Sequence, residues 1–116
     1  MRMPQDAVLL RIFIGENDRH EGRPLYEAIV LTARERKLAG ATVLRGPMGY
    51  GHSSHLHTSR ILRLSEDLPL VVEIVDSADK INAFLPELDR LMTSGLITVE
   101  NVRVLQYGKN GRTAAD

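Results

Sequence analysis

Residues 7–14 read AVLLRIFI, and this stretch decides the fold. Side chains along an extended chain point alternately to its two faces. The even-numbered residues of the stretch are all apolar, and on the other face Leu9 and Phe13 flank Arg11. Because apolar residues line both faces, the pattern predicts a strand at the centre of a sheet.

Two amphipathic helices are predicted elsewhere in the chain. Pro24 suits the first position of a helix, because its missing N–H needs no partner there, and Gly40 after Lys37 predicts the end of that helix. Its apolar stripe consists of Leu25, Ala28, Ile29, Thr32 and Ala33. Asp76 or Ser77 is predicted to cap the second helix. The stripe of the second helix consists of Ile81, Phe84, Leu85, Leu88 and Met92.

Pro86 interrupts the second helical pattern. A proline inside a helix removes one hydrogen bond and clashes with the preceding turn. The sequence therefore predicts a kink at this position or two short helices, with Gly95 ending the helical region.

Three further strands are predicted at Thr42–Arg45, Leu70–Val75 and Ile97–Tyr107, with a short extended piece at Arg60–Ser65. In the last strand the apolar residues shift from odd to even positions, which predicts a bulge near Glu100–Asn101. The order β-α-β-β-α-β indicates an α+β, ferredoxin-like fold, in which a four-stranded antiparallel sheet carries two helices on one face.

The sheet face away from the helices is also apolar, which predicts self-association. Arg11 and Glu73 share this face on adjacent strands, and whether they pair depends on a register that the sequence leaves open. A wet apolar face is unfavourable, and contact with another copy of the chain would bury it. The apolar residues of this face are Leu9, Phe13, Val71 and Val75.

The composition is that of one soluble domain spanning residues 1–116, with a core at about 6–108 and a polar tail at 109–116. Lysine and arginine number 15 and balance 15 acidic residues, so no nucleic-acid partner is expected. The chain contains no cysteine, which excludes disulfides, thiolate zinc sites and cysteine catalysis. The N-terminus carries no signal-peptide pattern, and a cytoplasmic location is expected.

The segment Gly46–Gly51, at the start of a long loop over residues 46–59, is the candidate ligand-binding motif. Glycines allow backbone N–H groups to approach a phosphate or a ribose and permit positive φ angles. The alternative is a plain loop that needs glycine for its shape. His52, His55 and His57 follow in the same loop and suit either a metal site or solvated side chains.

An enzymatic function is not expected. Gly51–His55 brings serine and histidine together, but His55 stands where the nucleophile elbow requires a second glycine. Nothing in the sequence identifies a matched general acid and base, and the chain is predicted to be non-enzymatic and to require no cofactor.

Four motifs together carry a resemblance to a known family. The chain resembles the PII superfamily of trimeric signalling proteins, and most closely a small PII-like family of about 110 residues. The resemblance covers residues 6–108, and its motifs are Gly40–Gly46 (GATVLRG), Gly49–His52 (GYGH), Leu64–Pro69 (LSEDLP) and Glu73–Asp76 (EIVD).

The resemblance implies a homotrimer that binds an adenine nucleotide between neighbouring subunits. It places Thr42 against the adenine, and Gly49, Tyr50 and Gly51 against the ribose and first phosphate. Arg103 matches one of two phosphate-binding arginines. The loop Met92–Thr98 takes the place of a phosphate-binding loop. The same cleft would include Gly46, His52, Gly95 and Leu96.

Departures from the family pattern bear on the choice of nucleotide. The phosphate-binding loop is reduced to Thr93–Gly95, its lysine is replaced by Leu96 or Ile97, and the second arginine is replaced by Leu105. Fewer cationic donors neutralise a triphosphate poorly, so AMP or ADP is favoured over ATP. The resemblance further implies that the loop 46–59 signals to a partner protein, such as a membrane transporter, a channel or an enzyme. The alternative function is a metal-responsive trimeric module that uses His52, His55 and His57.

Overall fold

The computed structural model of the chain describes residues 5–51, 56–58 and 67–108. In that part, four strands form the main sheet, two helices pack on it, and four strands of two residues form two small hairpins. The elements are β1 (Gln5–Gly15), β2 (Arg19–His20), β3 (Arg23–Pro24), α1 (Leu25–Glu35), β4 (Thr42–Arg45), β5 (Met48–Gly49), β6 (His57–Thr58), β7 (Pro69–Asp76), α2 (Ala78–Leu91) and β8 (Leu96–Val104).

The main sheet is antiparallel and has the strand order β4-β7-β1-β8. β1 pairs with β7 on one side and with β8 on the other, which confirms the central strand predicted from AVLLRIFI. The α+β ferredoxin-like fold is confirmed as well.

The core lies between one face of the sheet and the two helices. Leu10, Ile12 and Val72 point to this face and are fully buried. Phe84 and Leu88 of α2 meet them from the helical layer. Burial of these large apolar side chains is the main favourable contribution to folding, because each one removes apolar surface from water.

Helix α1 begins and ends differently from the prediction. Pro24 is the N-cap residue and lies just outside the helix. The left-handed residue after the helix is Lys37, with φ +63°, and Gly40 does not end the helix. Lys37 N–H donates to Arg34 O and Leu38 N–H donates to Ala33 O, both at 3.0 Å. These two bonds form a Schellman motif, which satisfies the last carbonyls without glycine.

Helix α2 is a single element of 14 residues that contains Pro86, so the prediction of two short helices is wrong. The Ser77 side chain caps the helix by accepting a hydrogen bond from Lys80 N–H at 3.2 Å, which confirms the predicted capping position. Met92 lies one residue beyond the last helical turn as the C-cap.

Strand β8 contains no bulge, contrary to the prediction at Glu100–Asn101. The register with β1 is continuous from Leu96 to Val104. Ile97 and Val99 lie on the helix side of the sheet, whereas Val102 and Val104 lie on the opposite side. The shift from odd to even apolar positions therefore reflects a change of face along one regular strand.

Several predicted boundaries change in smaller ways. The last strand ends at Val104, whereas Tyr107 was predicted. The piece Arg60–Ser65 and the tail 109–116 lie outside the described residues. Neither helix of the described part is long and apolar enough to cross a membrane.

Candidate functional site

A groove of about 470 Å³ lies at the end of the sheet where β4 and β1 begin and β7 and β8 end. This volume falls within the usual range of small-ligand sites, about 300–1,000 Å³. The residues that line the groove are Gln5, Asp6, Ala7, Leu9, Ala39, Gly40, Ala41, Thr42, Glu73, Val75, Asp76, Ser77, Val104, Gln106 and Tyr107.

Thr42 is the one predicted site residue among the residues that line this groove. It pairs with Glu73 of β7, so both side chains lie on the sheet face away from the helices. The charged residues among the described lining residues, Asp6, Glu73 and Asp76, are all acidic. The groove therefore suits an uncharged or weakly basic ring, and a phosphate group would need cations from elsewhere.

Asp76 stabilises the wall of the groove that contains Ala39. It is 7% exposed, and its carboxylate accepts hydrogen bonds from Ala39 N–H at 2.8 Å and from Ser77 N–H at 2.7 Å. On the other side of Ala39, Tyr107 Oη donates to Ala39 O at 2.6 Å. The sequence reasoning missed Asp76 and Tyr107 as site residues, because 37 and 68 residues separate them from Ala39.

The glycine-rich segment lies beyond the other end of β4 and packs on Pro69. A Cβ atom added at Gly46 would lie 3.1 Å from Pro69 Cγ, and one added at Gly49 would lie 3.0 Å from it. Gly46 N–H also donates to Pro69 O at 2.8 Å. The expected positive φ is found at none of Gly46, Gly49 and Gly51. Close packing on Pro69 therefore explains two of these glycines without a ligand.

The end of the segment is open to solvent. Tyr50 is 70% exposed. A Cβ atom added at Gly51 would meet no atom of the described residues within 4 Å. These two residues are therefore accessible for contact with a ligand or with another protein.

The remaining described site residues lie on β8 or directly before it, at the opposite edge of the sheet from β4. Gly95 precedes the strand with φ +129°, Leu96 begins it, and Arg103 lies next to its end, opposite Asp6 of β1. Arg103 lies seven positions after Leu96, which corresponds to about 23 Å along a strand. Within one chain, the structure does not bring these residues together with Thr42 and the glycine-rich segment.

The histidine cluster falls largely outside the described part. His52 and His55 are not among the described residues, and of His57 only the backbone in β6 is described. Among residues 5–51, 56–58 and 67–108, no group of three or more histidine, aspartate or glutamate side chains is placed to hold a metal ion.

A charged triad lies in the middle of the sheet face away from the helices. Arg11 Nε donates to Glu73 Oε2 at 3.0 Å, and Arg11 Nη1 donates to Glu100 Oε1 at 3.1 Å. The hydrogen bond to Glu73 raises the pKa of Arg11 above its ordinary value, and the charges of Glu73 and Glu100 add to this effect. Apolar residues surround the triad on the same face: Leu9, Phe13, Leu44, Val71, Val75, Leu96, Val102 and Val104.

Solved structures of other proteins share this fold. CPII, described as a nitrogen regulatory PII-like protein from Thiomonas intermedia K12 bound to ADP, AMP and bicarbonate, superposes with a TM-score of 0.63 at 15% identity, over 97% of this chain and 94% of that one. A putative PII-like signaling protein from Thermus thermophilus superposes with a TM-score of 0.64 at 18% identity, over 90% of this chain and 93% of that one. The chain has a PII-like fold.

Sequence comparison gives the family. The model of the DUF190 family, described as "Uncharacterized ACR", matches residues 7–104, and the chain belongs to this family. A UPF0166 protein of Aquifex aeolicus (strain VF5) is 43% identical over 97 residues, which cover 84% of this chain and 91% of that protein. The resemblance to a small PII-like family is thereby confirmed.

Proposed function

We propose that the protein is a non-enzymatic, PII-like regulatory protein that binds an adenine nucleotide in a cleft between two subunits. AMP or ADP is the preferred ligand over ATP. Binding changes the loop 46–59, which transmits the signal to a partner protein. The partner is a membrane transporter, a channel or a metabolic enzyme, and the protein acts in the cytoplasm.

The observation that carries this proposal is the division of the candidate site between the two edges of the sheet. Thr42 and Gly46–Gly51 follow the β4 edge, whereas Leu96 and Arg103 lie on the β8 edge. Adjacent strands are about 4.8 Å apart, so the two edges of the four-stranded sheet are about 14 Å apart. Contact between the β4 edge of one copy and the β8 edge of the next would unite both sets of residues.

The exposed edge of the sheet is evidence that several copies assemble into a closed ring. β8 is an edge strand of nine residues, seven of them exposed, and Leu96 and Val99 are 55% and 57% exposed. Unpaired edges of this kind favour association with another chain. A contact between two different edges is heterologous, and it closes into a ring when the rotation is right. The family resemblance implies three copies.

The charge of the groove supports the proposed ligand. Its described lining residues include Asp6 and Glu73 and no basic residue, so it suits the base of a nucleotide. Arg103 is exposed on β8 and, from a neighbouring copy, would supply a cation to a phosphate. A single arginine favours one or two phosphates over three. The PII-like protein CPII is bound to ADP and AMP in its solved structure.

Isothermal titration calorimetry with AMP, ADP, ATP and cyclic AMP tests the proposal. AMP or ADP is expected to bind more tightly than ATP, and Arg103→Ala is expected to weaken AMP binding by about tenfold, as for loss of a charge-assisted hydrogen bond. Joint replacement of His55 and His57 by alanine is the control, and it should change AMP affinity little. Absence of binding by all four nucleotides would remove the nucleotide claim.

A further inference from the structure

The chain continues past β8 and crosses the end of the sheet. β8 ends at Val104, which pairs with Gln5 of β1. Three residues later, Tyr107 reaches Ala39, which precedes β4 at the opposite edge of the sheet. The segment and the Tyr107 side chain together therefore bridge the start of β1 and the end of β7, and the two edge strands are about 14 Å apart. We call residues 105–107 the strap.

The strap forms one wall of the groove. Gln106 and Tyr107 line the groove together with Val104, Thr42 and Val75. The other walls belong to the sheet and to the start of β4, which the core holds in place. The strap differs from these walls, because Leu105 is 69% exposed and Gln106 is also exposed, so neither side chain anchors it in the core.

A hydrogen bond from the Tyr107 hydroxyl attaches the strap to Ala39. It donates to Ala39 O at 2.6 Å, and the N–H of Ala39 donates to the buried carboxylate of Asp76 at 2.8 Å. Asp76 belongs to β7 and is 7% exposed, so Ala39 is tied to the rigid part of the molecule. Tyr107 is 37% exposed, so the hydrogen bond lies at the surface, where it can open without disturbing the core.

We propose that the strap is a clasp over the groove, and that the hydrogen bond between Tyr107 and Ala39 holds it closed. Opening of the clasp admits a planar, uncharged ring such as a purine base, and closing retains it. Tyr107 is thus a positioning residue that slows ligand release. Retention of a nucleotide rests on the proposed function, whereas the fastening of the strap does not.

Tyr107→Phe removes the hydroxyl and keeps the ring, so it tests the fastening directly. The matched control is Tyr26→Phe on α1, because the Tyr26 ring packs on the core and its hydroxyl has no hydrogen bond within the described part of the chain. Hydrogen exchange without ligand should be about three- to tenfold faster over residues 104–108 in Tyr107→Phe, as expected for loss of one hydrogen bond, and unchanged in Tyr26→Phe.

Stopped-flow measurement of AMP release tests retention. Release from Tyr107→Phe should be about three- to tenfold faster than from the native protein and from Tyr26→Phe. Equal exchange rates in all three proteins would show that the hydroxyl does not fasten the strap. Faster exchange with unchanged AMP release would overturn the clasp. If the native protein binds no nucleotide, the proposed function and the retention step fail together, while the exchange result still decides the fastening.

Discussion

Arg11 Nε lies 3.0 Å from Glu73 Oε2 across the β1–β7 pair, directly opposite in register. The same guanidinium contacts Glu100 on β8, so one arginine holds two carboxylates from the strands on either side. The side chain of Arg11 is 39% exposed in the single chain. Most other side chains of this face are apolar, so a protein that covers the face would also take the three charges out of water.

Arg11→Met should weaken self-association by about tenfold or more. The substitution leaves Glu73 and Glu100 without their shared cation on the sheet face that another copy is predicted to cover, and unpaired charges are strongly unfavourable once they lose water. Analytical ultracentrifugation over a concentration series measures the effect. Arg90→Met on the outer face of α2 is the control, because Glu87 keeps its second partner, Arg36. Equal association of the two variants would place the triad outside any interface.

Removal of Glu87 should make thermal stability less dependent on pH. The hydrogen bond from Arg90 lowers the pKa of Glu87 below its ordinary value, and the charge of Arg36 acts in the same direction. A lowered pKa stabilises the fold above the ordinary glutamate pKa of about 4.3, and this stabilisation is lost as pH falls through the lower folded value. The melting temperature of Glu87→Gln should be lower than that of the native protein at pH 7 by a few degrees, and the difference should shrink as the pH falls below about 4.3 and disappear once the pH is below the lowered folded pKa.

The matched control for this pH series is Glu35→Gln, because Glu35 is an exposed residue in the last turn of α1. Its melting temperature should follow that of the native protein throughout. A difference between Glu87→Gln and the native protein that stays constant down to about pH 3 would contradict the electrostatic explanation.

Gly95→Ala should lower the free energy of unfolding by about 1–3 kcal/mol, because a non-glycine residue is strained at its φ of +129°. A Cβ atom there would also lie 2.9 Å from Phe13 O and 2.7 Å from Met92 Cε. Urea denaturation measures the change. Gly51→Ala is the control, because its added Cβ would meet no atom within 4 Å among residues 5–51, 56–58 and 67–108, and its stability should match that of the native protein. Equal stability of the two variants would refute the steric requirement at Gly95.

The fold was predictable wherever the spacing of apolar residues alone determines which side chains are buried. AVLLRIFI is apolar at seven of its eight positions, and its central place in the sheet follows from the two apolar faces that result. The two faces of strand β8 were harder to predict. Ile97 and Val99 lie on the helix side, where the helices cover them only partly, and Val102 and Val104 lie on the opposite face. Apolar residues therefore occur on both faces of this edge strand. Lys37 was missed as the left-handed residue, since its conformation depends on the hydrogen bonds that follow the helix and not on its residue type.

The candidate site was less predictable than the fold. Thr42 was found through the resemblance, and the structure places it in the groove. The need for glycine at positions 46 and 49 comes from Pro69, which lies 20 or more residues away in the chain. The contact between Tyr107 and Ala39 joins segments that are 68 residues apart, and no local pattern indicates it.

The central claim, a site shared between two copies, is tested most directly by complementation. Gly51→Asp should disable the β4-edge half, since its side chain enters open space and repels phosphate, and Arg103→Ala should disable the β8-edge half. Each variant alone should bind AMP weakly. When the two variants are unfolded together and refolded as a mixture, a heterologous ring should regain roughly one quarter of the native sites by calorimetry. A mixture that binds no better than either variant alone would contradict the shared site.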